Sequence, residues 1–243
     1  LQLFRVQQRI LGEPALDPGA ALGRSQDADW HTGCGPDYTD NGDGTVTDRC
    51  TGLTWQKSDD FSYADWDDAL RYCDALSFGG YADWRLPNVR ELQSIVLYGD
   101  NNPAIDTGTF SGSTDSTYWT STSRSDGPSE VYIIPFVDGR ISTQKRGDTG
   151  EKASRRCVRG TSGTLPDTMQ QKCYSAQSQT ILCESDGQVP GQDAELDTGC
   201  QQRLVDNDDG TVTDECTGLV WEQEGALDLL DWDNALRRCD DLS

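Results

Sequence analysis

The 243-residue chain is short of histidine, methionine and positive charge. It has one His (His31), one Met (Met169) and 20 Lys+Arg against 42 Asp+Glu, a formal net charge of −22. A single histidine leaves no two-His zinc site, no His pair and no His-based triad with a spare base. Scarce Lys and Arg argue against nucleic acid and against anionic membrane surfaces, because phosphate recognition needs clustered cations. The acidity favours cations, basic partners or plain solubility. No stretch approaches the roughly 20 apolar residues that a membrane helix needs, so no membrane span is expected. Hydrophobic residues make up only 34% of the chain, but seven Trp and eight Tyr supply large apolar faces, so a packed core is expected. Leu1 is not an initiator Met and opens no secretory leader, so the sequence reads as a mature or trimmed piece of a longer product.

The chain does contain a long internal repeat. Residues 32–77 and 198–243 align without a gap at a constant offset of 166, with 26 of 46 positions identical. Asp40-Asn41-Gly42-Asp43-Gly44-Thr45-Val46-Thr47-Asp48 returns as Asp206-Asn207-Asp208-Asp209-Gly210-Thr211-Val212-Thr213-Asp214. Trp55, Trp66 and Cys73 return as Trp221, Trp232 and Cys239, and Gln26-Asp27-Ala28 is echoed by Gln192-Asp193-Ala194. The second copy holds only the opening of the unit, and half a domain cannot bury its core. Either the protein continues or another chain completes that half. The expected organisation is a tail at 1–24, a first complete repeat at 25–160, a disulfide-containing linker at 161–197 and the opening half of a second repeat at 198–243.

Within the complete unit, Tyr38 to Trp55 is expected as a β-hairpin with Asn/Asp-Gly turns. Asp65 is placed to cap a helix running to about Leu76, whose apolar face is Trp66, Ala69, Leu70, Cys73 and Leu76, ended by Gly79-Gly80. Tyr81 to Leu86 is read as a short extended segment. Asn88 and Glu91 form a capping box for a second helix with Leu92, Ile95 and Val96 facing inward. A polar loop over 99–117, a strand opening at Tyr118-Trp119, a hairpin from Val131 to Ile141 turning at Asp138-Gly139, and a closing strand at Arg156-Cys157-Val158 complete an α+β domain.

Nine cysteines in a chain with one His point to disulfides and an oxidising compartment. Zinc is the alternative, but no Cys-x-x-Cys occurs. The repeat suggests the pairing. Cys34 and Cys50 recur as Cys200 and Cys216, so Cys34–Cys50 and Cys200–Cys216 are each expected to close a hairpin. Cys173 and Cys183 have no repeat counterparts and are assigned to each other. Cys73, on the inner helix face, is left for Cys157. The expected mate of Cys239 lies outside this sequence; a free or interchain thiol is the alternative.

The repeated Asp-Asn-Gly-Asp-Gly string, Thr51-Gly52-Leu53-Thr54-Trp55, Trp66-Asp67-Asp68-Ala69-Leu70 and Gly80-Tyr81-Ala82-Asp83-Trp84-Arg85-Leu86-Pro87-Asn88-Val89-Arg90-Glu91-Leu92 together resemble the Lcl C-terminal domain family. Pro103-Ala104-Ile105-Asp106, Tyr118-Trp119-Thr120-Ser121-Thr122 and Arg156-Cys157-Val158-Arg159-Gly160 extend the likeness in order. It covers 38–160 and restarts at 204–243. The resemblance implies a C-type-lectin-like fold akin to the formylglycine-generating-enzyme branch, in disulfide-stabilised tandem copies on bacterial surfaces or in secreted proteins. A helix-to-last-strand disulfide in lectin-like domains agrees with Cys73–Cys157. The family includes an adhesin of sulfated glycans, a ligand not carried over to so acidic a chain. The positive charges at Arg140, Lys145, Arg146, Lys152, Arg155, Arg156 and Arg159 are read as a solvated strand edge, with a local basic patch as the alternative.

Four candidate sites follow. Asp40, Asn41, Asp43 and Asp48, with Asp206, Asn207, Asp209 and Asp214 as repeat equivalents, carry oxygens suited to calcium; the bland alternative is a turn in which Asn, Asp and Gly tolerate positive φ. Asp83-Trp84-Arg85 is either a sugar platform or, preferably, a core Trp beside an internally paired Arg. Tyr118, Trp119 and the following Ser/Thr run either line a pocket or pack a strand. The lectin signatures Glu-Pro-Asn and Trp-Asn-Asp are absent. Fold kinship alone suggests a formylglycine-generating-type enzyme, and the cysteines are better explained as staples. No catalytic residue is assigned and no cofactor is required. The functional expectation is a non-enzymatic extracellular repeat protein, a self-assembling bead of a surface filament or layer. Its partners would be itself or neighbouring repeats, with the tail residues Leu3, Phe4, Val6, Ile10 and Leu11 available to dock on a neighbour. The alternative is a surface adhesin that holds a glycan or host protein on the loops after residue 99.

Overall fold

A computed structural model describes residues 33–112, 114–146, 151–183, 189–225 and 229–242. The tail expected at 1–24 and the start of the first repeat up to residue 32 lie outside the described residues. The chain divides into two compact units, a larger one over Pro36–Gln201 and a smaller one that contains the described residues from Gln202 on.

The larger unit opens with a meander of β1 (Tyr38–Asp40), β2 (Thr45–Asp48) and β3 (Thr54–Gln56). Its register pairs Thr39 with Thr47 and Val46 with Trp55. Gly42 and Gly44 take positive φ (76° and 86°) in the first turn, a conformation open to glycine at little cost. Helix α1 (Trp66–Asp74) starts at Asp65, whose carboxylate accepts from the Asp68 amide at 2.9 Å. Its 3.6-residue period turns Trp66, Ala69, Leu70 and Cys73 inward, all buried. The helix stops at Asp74, short of Gly79-Gly80. That pair instead makes a tight turn between Phe78 and Tyr81, whose backbones exchange two hydrogen bonds of 2.9 and 3.0 Å. The turn has to be close, since a Cβ on Gly79 would lie 2.7 Å from the Thr45 methyl.

Helix α2 (Val89–Ser94) carries both arms of the capping box between Asn88 and Glu91. Strands β4 (Thr117–Arg124), β5 (Gly127–Pro135) and β6 (Ser142–Lys145) form an antiparallel sheet in that order. The β5–β6 connection contains Asp138-Gly139, but the longer hairpin is β4–β5, which the sequence did not announce. Thr120, Ser121, Thr122 and Ser123 are all buried, so β4 lacks the polar–apolar alternation that reveals a half-buried strand. The closing strand is only β7 (Val158–Arg159), which adds to the meander beside β3 in the order β1-β2-β3-β7. Then follow β8 (Cys173–Tyr174), β9 (Thr180–Ile181) and the short α3 (Asp193–Leu196). The segment expected as a linker, 161–197, is thus part of this unit. The Gln192 side chain brackets Tyr174, accepting from its N–H and donating to its C=O at 2.9 Å each, and Val189 is buried in the core.

Two apolar clusters fill the unit. One gathers Val46, Leu53, Trp55, Leu92, Phe110, Tyr118 and Phe136; the other gathers Trp66, Leu70, Trp84, Trp119 and Ile133 around Cys73 and Cys157. Cys73 and Cys157 are disulfide-bonded (S–S 2.00 Å) across 84 residues, and Cys173 is bonded to Cys183. Cys34, Cys50, Cys200 and Cys216 are each disulfide-bonded as well.

The smaller unit repeats the meander as β10 (Leu204–Asp206), β11 (Thr211–Asp214) and β12 (Val220–Glu222), followed by α4 (Trp232–Asp240). Leu204 pairs with Asp214 as Tyr38 does with Asp48, and Val212 with Trp221 as Val46 does with Trp55. Asp231 caps α4 as Asp65 caps α1. The whole is a disulfide-stabilised α+β protein. Among the described residues no helix is long and apolar enough to cross a membrane.

Candidate functional site

A groove of about 470 Å³ runs between the start of α1 and the segment preceding Cys157, with Tyr63, Asp68, Arg71, Tyr72, Lys152 and Arg155 in its walls. Two links fix the walls. Ala64 and Ala153 exchange backbone hydrogen bonds of 3.0 and 3.1 Å, and the Cys73–Cys157 bond ties the helix to the end of that segment. The Arg155 guanidinium lies 3.8 Å over the Tyr72 ring and pairs with the Asp60 carboxylate. Arg71 is 3.6 Å from Asp68. Tyr63 is exposed, and its hydroxyl shares a 2.9 Å hydrogen bond with Ser116. Tyrosine faces beside cations and carboxylates suit stacking and hydrogen bonding to a polar ligand.

The seven positive residues at 140–159 do not form one patch. Arg156 is fully buried and donates to the carbonyls of Gln56, Lys57 and Ser111. Arg159 pairs with Asp83 at 2.8 Å and stacks 3.7 Å over Tyr81, and Arg140 pairs with Asp138. Arg146 is buried 4.8 Å over Trp66, and among the described residues none of its three guanidinium nitrogens has a hydrogen-bond partner. Burial lowers the Arg146 pKa and raises that of Asp67, the acid whose charge acts most strongly on it.

In the acidic loop, Asp40 accepts from the Gly42 amide at 2.9 Å and pairs with Lys57 at 2.6 Å. Asn41 donates to the Thr45 hydroxyl at 2.9 Å. Asp43 accepts from both the amide and the hydroxyl of Thr45, at 3.0 and 2.6 Å. Asp48 belongs to the next turn, where it is buried and accepts from the Cys50 amide and the Thr51 hydroxyl. Asp206, Asn207, Asp209 and Asp214 repeat these bonds with Asp208, Thr211, Cys216 and Thr217. The Lys57 contact holds the Asp40 carboxyl below the usual range, and the threonine contacts do so for Asp43 and Asp209. Among the described residues no three His, Cys, Asp or Glu side chains gather as a metal cluster.

Asp83-Trp84-Arg85 takes its internal form. Trp84 is buried, and Arg85 makes a two-pronged bond to the buried Glu91 at 2.6 and 2.7 Å while also donating to the Gly160 carbonyl. Tyr118 and Trp119 are fully buried, and the Tyr118 hydroxyl donates to Asp59. In the polar loop after residue 99, Ala104, Ile105 and Phe110 are buried.

Among the buried charges that the sequence did not announce are Arg146, Arg156 and Asp193. Asp193 had a signal, the Gln-Asp-Ala echo, but no reason to be buried until α3 docks against β4. Its carboxylate accepts from the Thr122 and Thr168 hydroxyls at 2.7 and 2.6 Å, and burial pushes its pKa up to about 6.

A comparison with curated proteins gave no match. Residues 44–159 match the model of the Lcl C-terminal domain. That stretch runs from the β1–β2 turn to the end of β7 and contains α1, α2, the β4-β5-β6 sheet and the Cys73–Cys157 bond. Over residues 44–159 the chain is therefore similar to the Lcl C-terminal domain family, the likeness its sequence motifs carry.

Proposed function

We propose that the protein is a non-enzymatic extracellular repeat protein, a structural bead of a surface filament or layer. The observation that carries this reading is the recurrence of one meander-and-capped-helix opening at an offset of 166 residues, in the same register. Repeated openings suit end-to-end assembly. The disulfides that tie distant segments suit an oxidising exterior. The twofold excess of acids over bases suits colloidal stability there. Electron microscopy of the full-length protein at increasing concentration tests the reading. Ordered strands or sheets are expected, and dispersed single particles at every concentration would overturn it.

A second reading, a surface adhesin, is favoured by the groove between α1 and the 152–155 segment, where Tyr63 and Tyr72 stand beside Arg71, Lys152 and Arg155. The fold then holds a glycan or protein ligand at a site pinned by the Cys73–Cys157 staple. Binding to a glycan array, lost in Tyr72→Ala, is the expected result. Silence with and without calcium counts against this reading.

A further inference from the structure

The segment after β7 is fastened to the rest of the larger unit by side chains. Among the described residues no backbone–backbone hydrogen bond joins 162–200 to residues 36–159, and the β8–β9 pair is internal to the segment. Thr122 donates to Asp193 at 2.7 Å, Gln170 donates to the Ser123 carbonyl at 2.7 Å, and Asn88 donates to the Thr198 hydroxyl at 3.2 Å. Val189 packs in the cluster of Leu70, Trp84 and Trp119, and Leu165 packs against the other cluster. The fit is imperfect, since one Asp193 oxygen is buried with no hydrogen-bond partner among the described residues. A polar face joined through side chains is the pattern of a separable interface rather than of a continuous core. The segment also lies beyond the family match at 44–159. Two features let it move as a piece. The Cys173–Cys183 bond lies inside it and travels with it. It leaves β7 through Gly160-Thr161-Ser162-Gly163-Thr164, where Gly160 takes positive φ (85°) and a Cβ on Gly163 would meet open space.

We infer that 162–200 is an exchangeable strap, and that the surface around Leu70, Asn88, Thr122 and Ser123 accepts the same strap from a second copy of this chain. That surface already holds this sequence, so the exchanged contacts are the same ones and only the hinge at 160–164 differs. Short hinges favour such exchange. Each chain gives one strap and accepts one. Reciprocal exchange closes a dimer, and exchange handed from copy to copy gives an open strand. Chains of net charge −22 repel one another, so screening salt favours the exchange. The inference deepens the assembly reading by naming its contact, and rests on that reading for its biological setting. The two fail separately. Filaments unchanged in Thr122→Asp would leave the assembly reading standing and overturn this one, whereas exchange that closes dimers without filaments would do the reverse.

Two full-length variants test it. Thr122→Asp sets a carboxylate against Asp193 of its own strap and leaves the strap intact. Asp193→Lys spoils the strap and leaves the end of β4 intact. Each alone is expected to stay monomeric in native mass spectrometry, with the amides of 189–198 exchanging hydrogen about tenfold faster than in the parent. Mixed in equal amounts they are expected to form a heterodimer with slow exchange restored over 189–198. There the strap of the first meets an unaltered β4, and the strap of the second brings a lysine to the introduced carboxylate. The parent gives a measurement without substitutions. Light and isotope-labelled chains held together at about 1 mM in about 0.15 M salt, then diluted, are expected to yield persistent mixed dimers, because a chain's own strap competes at an effective concentration in the millimolar range. Deleting Gly163 shortens the hinge, leaves the contact intact and is expected to bring mixed dimers in at about tenfold lower concentration. No heterodimer from the two variants together with no mixed dimer of the parent would overturn the inference. So would parent dimers whose onset the Gly163 deletion leaves unmoved, which places their contact elsewhere.

Discussion

The carboxylate of Asp193 accepts a 2.7 Å hydrogen bond from the hydroxyl of Thr122, 71 residues away in the chain. It fastens α3 to β4, yet among the described residues its second oxygen has no hydrogen-bond partner. Burial, with Glu91 and Asp167 adding negative potential, pushes its pKa up to about 6, while the two threonine hydroxyls pull the other way. An unfolded Asp titrates near 4. Between about pH 4 and 6 the folded state therefore binds more protons than the unfolded one, and stability falls as pH rises. The penalty is complete above the folded pKa and amounts to about 3 kcal/mol. Asp193→Asn removes it. The variant is expected to gain stability over the parent at pH 7.5 and lose that gain at pH 4, as read from urea midpoints. A parent–variant difference independent of pH would refute this.

The two mapped disulfides close loops of very different length, 84 and 10 residues. On the chain-entropy model, Cys73→Ala/Cys157→Ala is expected to cost about 4.5 kcal/mol and Cys173→Ala/Cys183→Ala about 2.7 kcal/mol. Denaturant unfolding of both variants checks the order as well as the sizes. Peptide mapping without reduction is expected to join Cys34 to Cys50 and Cys200 to Cys216, because each pair flanks an equivalent hairpin.

Glu91 does two jobs with one side chain, capping α2 at Asn88 and pairing with Arg85. Glu91→Gln keeps the shape but leaves Arg85 buried without a counter-charge. A loss of about 3 kcal/mol is expected. Arg85→Met in the same background should recover part of it, since removing both charges ends the electrostatic conflict. A double variant no more stable than Glu91→Gln alone would contradict that account.

The acidic hairpin loops carry two opposed readings, a turn and a calcium site. Asp43 and Asp209 already accept two hydrogen bonds each, and Asp48 and Asp214 sit in the following turn. We therefore expect the melting temperature to stay within about 1 °C on adding EDTA or millimolar calcium, because a ligand confers stability only through binding to the folded state. A clear calcium-dependent rise would establish the ion site instead.

Local chemistry is legible in the order of the residues. Asp65, Asn88 and Glu91 announce helix starts, because a capping side chain bonds an amide only two or three residues away. The meander is announced by its Asn/Asp-Gly turns, and the period of Trp66, Ala69, Leu70 and Cys73 marks a buried face. Comparison of one part of the sequence with another reveals the repeat, and the repeat guides the cysteine pairing.

What the sequence determined by itself was therefore whatever depends on near neighbours and on periodicity: caps, turns, the inner helix face and the recurrence at 166 residues. Tertiary structure alone decided the rest. It buried Arg146, Arg156 and Asp193, scattered a run of positive residues that looks like a patch in one dimension, and built β4 from polar residues with no readable alternation. It also covered Trp66 while leaving Trp232 exposed, although the residues beside the two match. Burial is set by what a distant segment places against a residue, and identical neighbours in sequence carry no information about that.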